Sequence, residues 1–258
     1  MGKKTTSRGS AAPSYRKRPR RRRAIWLVLG MLAALVLGVL IYAGDYYRAD
    51  ETAVACLAGT DSAVQVEATG DRIVFRPENA RAGLIFYPGG KVEFSAYAPL
   101  MEQLARRGVL CVLVRMPLNL AVLRPNAADA IPEAYPEITE WAVGGHSLGG
   151  AMAAAYAASH PQQTDALVLL AAYSTADLTA SGVRVISLYG TEDGVLQRDK
   201  YEKYRPNLPA DTTETVIEGG CHAGFGSYGP QKGDGTPAIT AQEQQRLTAD
   251  AVASWLAP

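Results

Sequence analysis

Residues 144–150 read Gly144-Gly145-His146-Ser147-Leu148-Gly149-Gly150, between the strand-like run 140–143 and the helix-like run 151–159. A nucleophilic serine at such a strand-to-helix turn has a strained backbone and an exposed hydroxyl, and it needs small neighbours because bulk would strike the adjoining strand and helix. Gly145 and Gly149 supply them. We therefore predict that Ser147 is a nucleophile and that the Leu148 amide, at the helix N-terminus, donates to an oxyanion.

Taken alone, a glycine-flanked serine is weak evidence. The chain has 25 glycines among 258 residues, so the pattern also arises by chance, and many glycine turns serve packing only. The interpretation depends on partners elsewhere in the chain.

The chain after residue 62 has an α/β pattern. Two strand candidates, 63–69 and 72–76, flank Gly70-Asp71, a strong hairpin signal. Apolar strands then alternate with helices and predict a mostly parallel sheet covered on both faces, with chemistry beyond the carboxyl ends of the strands. The predicted strands are 83–87, 109–114, 140–143, 166–171, 183–189 and 212–217, and the helices are 95–107, 151–159 and 240–256, while 119–138 holds short helices and loops.

A serine hydroxyl needs a neighbouring base, and that base needs an orienting acid. Of three histidines, His146 lies in the elbow and His160 ends the next helix, which leaves His222, in a glycine-flanked loop after the strand ending at 217. For the acid we favour Asp193, directly after the strand 183–189, with Glu192 and Asp177 as rivals. An exposed loop histidine and a turn-forming aspartate before glycine are the alternatives without catalysis.

The loop after 83–87 reads Pro88-Gly89-Gly90-Lys91, and its glycines permit close backbone approach. Gly90 is the first choice for a second oxyanion donor and Lys91 the next, against an ordinary glycine turn. Arg115, after the strand 109–114, is a candidate for pairing with an anionic substrate group, with a structural ion pair as the alternative. Lys91 is a second candidate for substrate binding.

The order Ser147, Asp193, His222, each after a successive strand, with a Pro-Gly-Gly loop upstream, resembles the α/β-hydrolase family over residues 64–256. The short connection between 171 and 183 leaves no room for a lid domain, so the chain is similar to the small lidless branch that includes dienelactone hydrolase-like proteins. Those enzymes use a cysteine nucleophile, and this elbow carries serine. The resemblance implies the α/β-hydrolase fold and acyl-transfer chemistry without a cofactor.

The amino terminus is strongly basic. Residues 1–23 carry ten of the 26 lysines and arginines and no acid, so the rest of the chain has 16 basic and 25 acidic residues. Residues 24–43 are uncharged and long enough to span a bilayer, which predicts a single-pass membrane protein with its amino terminus cytoplasmic. We expect a tail at 1–23, a transmembrane helix at 24–43, a stalk at 44–62 and a domain at 63–258. A cleaved export signal, with a site at Ala53-Val54-Ala55, is the alternative.

Three cysteines leave at least one thiol unpaired. Cys111 lies in an apolar run and is expected to be buried, whereas pairing of Cys56 with Cys221 stays open. No cysteine or histidine spacing predicts a metal site, and we expect no cofactor.

These patterns predict a membrane-anchored serine hydrolase, of the carboxylic-ester type, that acts on a small-molecule ester. Acyl transfer or amide cleavage uses the same residues, and a catalytically inactive surface-binding domain is the alternative of another class. We expect membrane lipid as a partner through the N-terminal helix, and neither nucleic acid nor an obligate protein partner. Attraction to anionic phospholipid accounts for the basic tail.

Overall fold

The computed structural model describes residues 1–2, 9, 20–58 and 63–256. The chain divides into two compact units, Met1–Tyr42 and Ala43–Pro258. Most of the predicted basic tail, and residues 59–62 of the predicted stalk, lie outside the described residues.

The second unit is built on one eight-stranded sheet with the order β1-β2-β4-β3-β5-β6-β7-β8. Pairing is parallel from β4 through β3 to β8, and antiparallel between β1 and β2 and between β2 and β4. The α/β fold and the mostly parallel sheet are thus confirmed, including the hairpin at Gly70-Asp71. The strands are β1 (Val64–Ala68), β2 (Arg72–Pro77), β3 (Ala82–Tyr87), β4 (Val109–Val114), β5 (Glu140–His146), β6 (Ala166–Leu170), β7 (Arg184–Gly190) and β8 (Thr213–Ile217).

Helices cover both faces of this sheet. The helices of the second unit are α2 (Glu51–Cys56), α3 (Ala98–Ala105), α4 (Leu148–Ser159), α5 (Arg198–Tyr204) and α6 (Ala241–Leu256). Residues of α3 and α6 share one buried cluster with one side of the strands, and residues of α4 share a second cluster with the other side. Burial on both faces is why β3, β4 and β6 are continuous apolar runs.

The helix predicted for 95–107 is shorter in the structure. A 3-10 turn, Phe94–Tyr97, precedes α3, and Pro99 lies in the first turn of the helix, where a missing N–H costs nothing. Gly108, at φ +88°, stops the chain from continuing as a helix.

The three cysteines are buried and unpaired, so Cys56 and Cys221 form no disulfide in this structure. The prediction that Cys111 is buried is confirmed, with 0% exposure. Helix α2 is capped by Asp50, whose carboxylate accepts from the Ala53 amide, and the Cys56 thiol donates to Glu102.

The N-terminal helix α1 runs over Arg20–Gly44, and its large apolar side chains from Ile25 to Tyr42 are exposed. The span Arg23–Gly44 is long and apolar enough to cross a membrane, a property shared by membrane anchors and signal sequences. The predicted domain boundaries and the topology stay predictions.

Candidate active site

Ser147 occupies the turn between the end of β5 and the start of α4, with φ +53° and ψ −121°. Its amide donates to the Leu170 carbonyl in β6 at 2.9 Å, which fixes the turn against the sheet. A Cβ on Gly149 would collide with the carbonyl oxygens of Tyr87 and Pro88, and one on Gly145 would lie 2.6 Å from the Tyr87 oxygen. The two glycines are therefore required by the close packing of this elbow against β3.

Gly90 packs against the side chain of Leu148, the residue after Ser147. A Cβ on Gly90 would be 2.9 Å from Leu148 Cδ2, and within the described residues neither backbone N–H has an acceptor. Backbone amides without an acceptor, on two loops that pack against each other, are candidate donors to an oxyanion. The Lys91 amide instead donates to the Asn119 carbonyl at 2.8 Å, so it is committed to that bond.

His222 and Asp193 form a buried pair. His222 Nδ1 lies 2.9 Å from Asp193 Oδ2 and 3.1 Å from Oδ1, and their side chains are 1% and 0% exposed. Asp193 Oδ1 also accepts from the amides of Val195 and Leu196, which fixes the carboxylate. Because an ionised carboxylate only accepts, Nδ1 carries the proton and Nε2 presents a lone pair.

The rival acids lie elsewhere. Glu192 is exposed and accepts from the Thr191 hydroxyl, while Asp177 is exposed and is bonded to Thr179. Asp193 is thus the candidate acid that contacts His222.

The structure places His222 next to the residue that precedes Ser147. The ring of His146, the residue before the serine, lies 4.4 Å from the His222 ring between centroids. Within the described part of the chain, His222 Nε2 is buried and has no hydrogen-bond partner.

His146 links the base to the oxyanion loop through Tyr97. The Gly89 amide donates to Tyr97 Oη at 3.1 Å, and Tyr97 Oη lies 2.8 Å from His146 Nδ1. Since Tyr97 is fully buried, its hydroxyl proton needs an acceptor, which His146 Nδ1 supplies. Burial, and then the neighbouring His222, hold the pKa of His146 well below its usual value, so it stays neutral.

The loop that carries His222 is held from two sides. Asp234 accepts from the amides of His222 at 3.1 Å, Ala223 at 2.8 Å and Gly194 at 3.1 Å, so one carboxylate ties the base loop to the acid loop. Gln244 in α6 pairs with both backbone polar groups of Cys221, at 2.9 and 2.8 Å. The Gly235 amide is a fourth donor to Asp234, at 2.9 Å. Burial raises the pKa of Asp234, but these four amides together have the larger opposite effect and lower the pKa overall.

The two candidate substrate-binding residues have other contacts. The exposed Arg115 donates to the Gly70 carbonyl at 3.3 Å, and its guanidinium lies 5.7 Å from the Phe94 ring. Lys91 Nζ forms an ion pair with Asp45 at 2.9 Å. The part of these two side chains in substrate binding stays a prediction.

Sequence reasoning missed Asp234, Tyr97 and Gln244. A signal for Asp234 exists, since it sits between two glycines in the long irregular loop after His222, as Asp193 sits before Gly194. Tyr97 and Gln244 lie in helix-like runs, where their spacing does not distinguish them from packing residues.

Comparison with known proteins agrees with this architecture. A model described as "Alpha/beta hydrolase family" matches residues 83–246, and no curated protein matches the sequence. The chain is similar in structure to TT1662 from Thermus thermophilus (TM-score 0.54, 15% identity, covering 76% of this chain and 99% of that one). It is also similar to Est1E from Butyrivibrio proteoclasticus (TM-score 0.54, 12% identity, covering 76% of this chain and 100% of that one). A third similar structure is a predicted CIB-like hydrolase from Thermoplasma acidophilum (TM-score 0.51, 13% identity, covering 74% of this chain and 99% of that one). At these identities the likeness shows the fold.

Proposed function

Because the chain belongs to the α/β hydrolase family, we propose that it is a serine hydrolase of carboxylic esters with Ser147 as nucleophile. The observation that carries the proposal is the buried His222–Asp193 hydrogen bond of 2.9 Å, which leaves His222 Nε2 as an unpartnered base beside the serine elbow. A buried imidazole without a partner for its lone pair is costly unless it has a task.

The proposed reaction follows from these positions. Ser147 Oγ attacks the ester carbonyl while His222 Nε2 takes its proton, and Asp193 stabilises the imidazolium. The amides of Gly90 and Leu148 donate to the oxyanion of the tetrahedral intermediate. His222 then gives the proton to the leaving alcohol, and the serine is left acylated.

Hydrolysis of the acyl-enzyme repeats these steps with water. His222 takes a proton from the water that attacks the acyl carbonyl, and it returns that proton to Ser147 Oγ as the acid product leaves. No step needs a group from outside the chain other than substrate and water.

The test of the proposed reaction is ester hydrolysis by the full-length protein in detergent micelles, with p-nitrophenyl esters of graded acyl length. We expect Ser147→Ala to reduce kcat by about 10³-fold or more, in line with the loss of a nucleophile from a triad. Ser254→Ala is the matched control, since that serine is exposed in α6 and its hydroxyl makes no hydrogen bond within the described residues. Equal rates for wild type and Ser147→Ala would leave a binding domain as the better interpretation.

We also propose that α1 is an uncleaved membrane anchor with residues 1–23 in the cytoplasm and the hydrolase domain outside. Support comes from the length and hydropathy of Arg23–Gly44 and from the ten basic residues, without an acid, on its amino-terminal side. Retention of the full-length mass in membranes washed with carbonate, with protease access to a C-terminal tag in intact cells, is the expected result. A soluble, shortened product would contradict it.

A further inference from the structure

The segment that directly follows α1 is bonded to the loop that carries Gly90. The Tyr47 amide donates to the Lys91 carbonyl at 2.8 Å, and the Glu93 amide donates to the Tyr47 carbonyl at 2.8 Å, as a short parallel bridge between Tyr47 and Val92. Asp45 forms an ion pair with Lys91. Residues 45–49, which we name the tether, thus pack against the loop 88–93 that carries Gly90, which we name the oxyanion loop.

The tether also limits how far this loop can lie from the end of α1. Tyr47 is three residues beyond Gly44, the last residue of the helix, and an extended chain covers at most about 11 Å over that length. Whatever the orientation of the domain, the part of the site that binds the oxyanion therefore stays near the end of the apolar span.

Exposed apolar side chains are concentrated next to the same loop. Outside residues 1–42, five large apolar side chains of the described chain are exposed, and three of them lie within six residues. These are Leu118, Val122 and Leu123, exposed by 42, 47 and 51%, which we name the apolar face. The face joins the oxyanion loop through the bond from the Lys91 amide to the Asn119 carbonyl.

The exposed Leu118 lies in a strained backbone conformation. Leu118 and Asn119 have φ of +53° and +55°, a left-handed conformation that is unfavourable for leucine. On either side of them, Met116 and Ala121 are buried. A leucine kept exposed by a strained turn between two buried residues is typical of a contact surface.

Aromatic and basic residues of the tether suit the same surroundings. Exposed Arg48 lies over the ring of Tyr46, 4.8 Å from its centroid, and donates to its hydroxyl. Arg115, three residues before Leu118, is also exposed. Tyrosine and arginine side chains at the end of an apolar span are favoured at the headgroup level of a membrane.

We propose that the apolar face docks on the bilayer that holds α1, and that the substrate of Ser147 is an amphiphilic ester taken from that surface. The substrate class rests on the proposed ester hydrolysis, whereas the docking rests only on the proposed membrane anchor. A long acyl chain leaves the membrane at a high cost in free energy, so a site held at the surface by its own tether is suited to such esters.

Docking is tested on the full-length protein reconstituted in vesicles of phosphatidylglycerol and phosphatidylethanolamine with brominated acyl chains. Bimane is attached to the cysteine introduced by Val122→Cys. The control carries bimane at Val216→Cys, on β8, where the side chain is exposed to a similar extent. The native thiols are buried and do not compete for the label. We expect bromolipid to quench bimane at position 122 at least about twofold more than at 216, because a docked face reaches the acyl boundary. Equal quenching at the two positions would overturn the docking.

The substrate class is tested with a variant that makes the face polar, Leu118→Asn, Val122→Ser and Leu123→Ser together, since asparagine accepts the positive φ. Its rates on p-nitrophenyl palmitate in vesicles and on p-nitrophenyl acetate in solution are compared with those of wild type and Val216→Ser. We expect the palmitate-to-acetate ratio to fall about tenfold in the triple variant only. An unchanged ratio overturns the substrate class.

These outcomes separate the two proposals. If the wild type hydrolyses neither ester, both the proposed ester hydrolysis and the proposed substrate class are wrong. The bimane comparison still decides the docking.

Discussion

Asp234 is the residue whose replacement tests how the base is positioned. Its Oδ1 accepts from the amides of Gly194 and His222, and its Oδ2 accepts from the amide of Ala223. The substitution Asp234→Asn keeps the size and one acceptor oxygen. It places an NH₂ group against the Ala223 N–H, so the hydrogen bond to Ala223 is lost. The hydrogen bonds from Gly194 and His222 remain, but they are weaker because the acceptor has lost its negative charge.

The size of the effect follows from these bonds. A backbone donor left without an acceptor costs about 1–3 kcal/mol, and charged hydrogen bonds are roughly twice as strong as neutral ones. Because Asp234 is partly exposed, water offsets some of the loss, and we expect destabilisation of about 2 kcal/mol. For a domain of this size, that lowers Tm by about 4–8 °C. The less well positioned base should reduce kcat about tenfold or more, with KM little changed.

The pH dependence has a definite sign. The pKa of Asp234 is lowered in the folded protein, so its contribution to the free energy of unfolding is fully present above the pKa of the unfolded chain. It is lost as the pH falls through the folded pKa. The Tm difference between wild type and Asp234→Asn is therefore largest near neutral pH and shrinks below about pH 4.

Thermal denaturation and steady-state ester hydrolysis at several pH values measure both effects. Asp211→Asn is the matched control, because Asp211 is exposed and no hydrogen bond of its side chain is recorded within the described chain. The positioning argument is wrong if Asp234→Asn matches Asp211→Asn in Tm and kcat.

Three further substitutions follow from the site. Tyr97→Phe leaves the Gly89 amide and His146 Nδ1 without a partner and should lower the free energy of unfolding by about 2–4 kcal/mol, measured by chemical denaturation. Tyr204→Phe is the control: its hydroxyl has no hydrogen-bond partner among the described residues, and it should cost under about 1 kcal/mol. Gly149→Ala should fail to give folded protein by circular dichroism, since its Cβ meets backbone oxygens, while Gly70→Ala, with open space, should fold. Arg115→Ala should change kcat/KM for a neutral ester less than about twofold, and a larger loss would place the guanidinium in the substrate site.

The positions of the strands along the chain and the glycine-flanked turn at Ser147 were predictable because they depend on local patterns. Continuous apolar runs give β3, β4 and β6, and Gly70-Asp71 gives the hairpin. Helix starts were less predictable, since the chain enters α3 through a 3-10 turn before Pro99. There, tertiary packing of the buried Tyr97 decides the backbone, which an apolar pattern alone does not reveal.

Site residues that directly follow a strand can be predicted from the sequence, whereas site residues in irregular loops cannot. Asp193 and His222 each follow a strand, so the rule that parallel strands converge at their carboxyl ends brings them together. Asp234 acts from an irregular loop, 12 residues after His222, and the return of that loop to the site is a property of the fold alone. The same holds for the tether, whose pairing with Lys91 and Glu93 spans more than 40 residues of chain.

The central claim is that Ser147 is a nucleophile activated by His222, and covalent labelling tests it most directly. Full-length wild type, Ser147→Ala and His222→Gln are treated with a fluorophosphonate probe, and the modified peptide is identified by mass spectrometry. The account predicts one adduct, on Ser147, in the wild type, none at that position in Ser147→Ala, and labelling slowed by about 10³-fold in His222→Gln. Folded wild-type protein that stays unlabelled at Ser147, or that labels as fast without the imidazole, would contradict it.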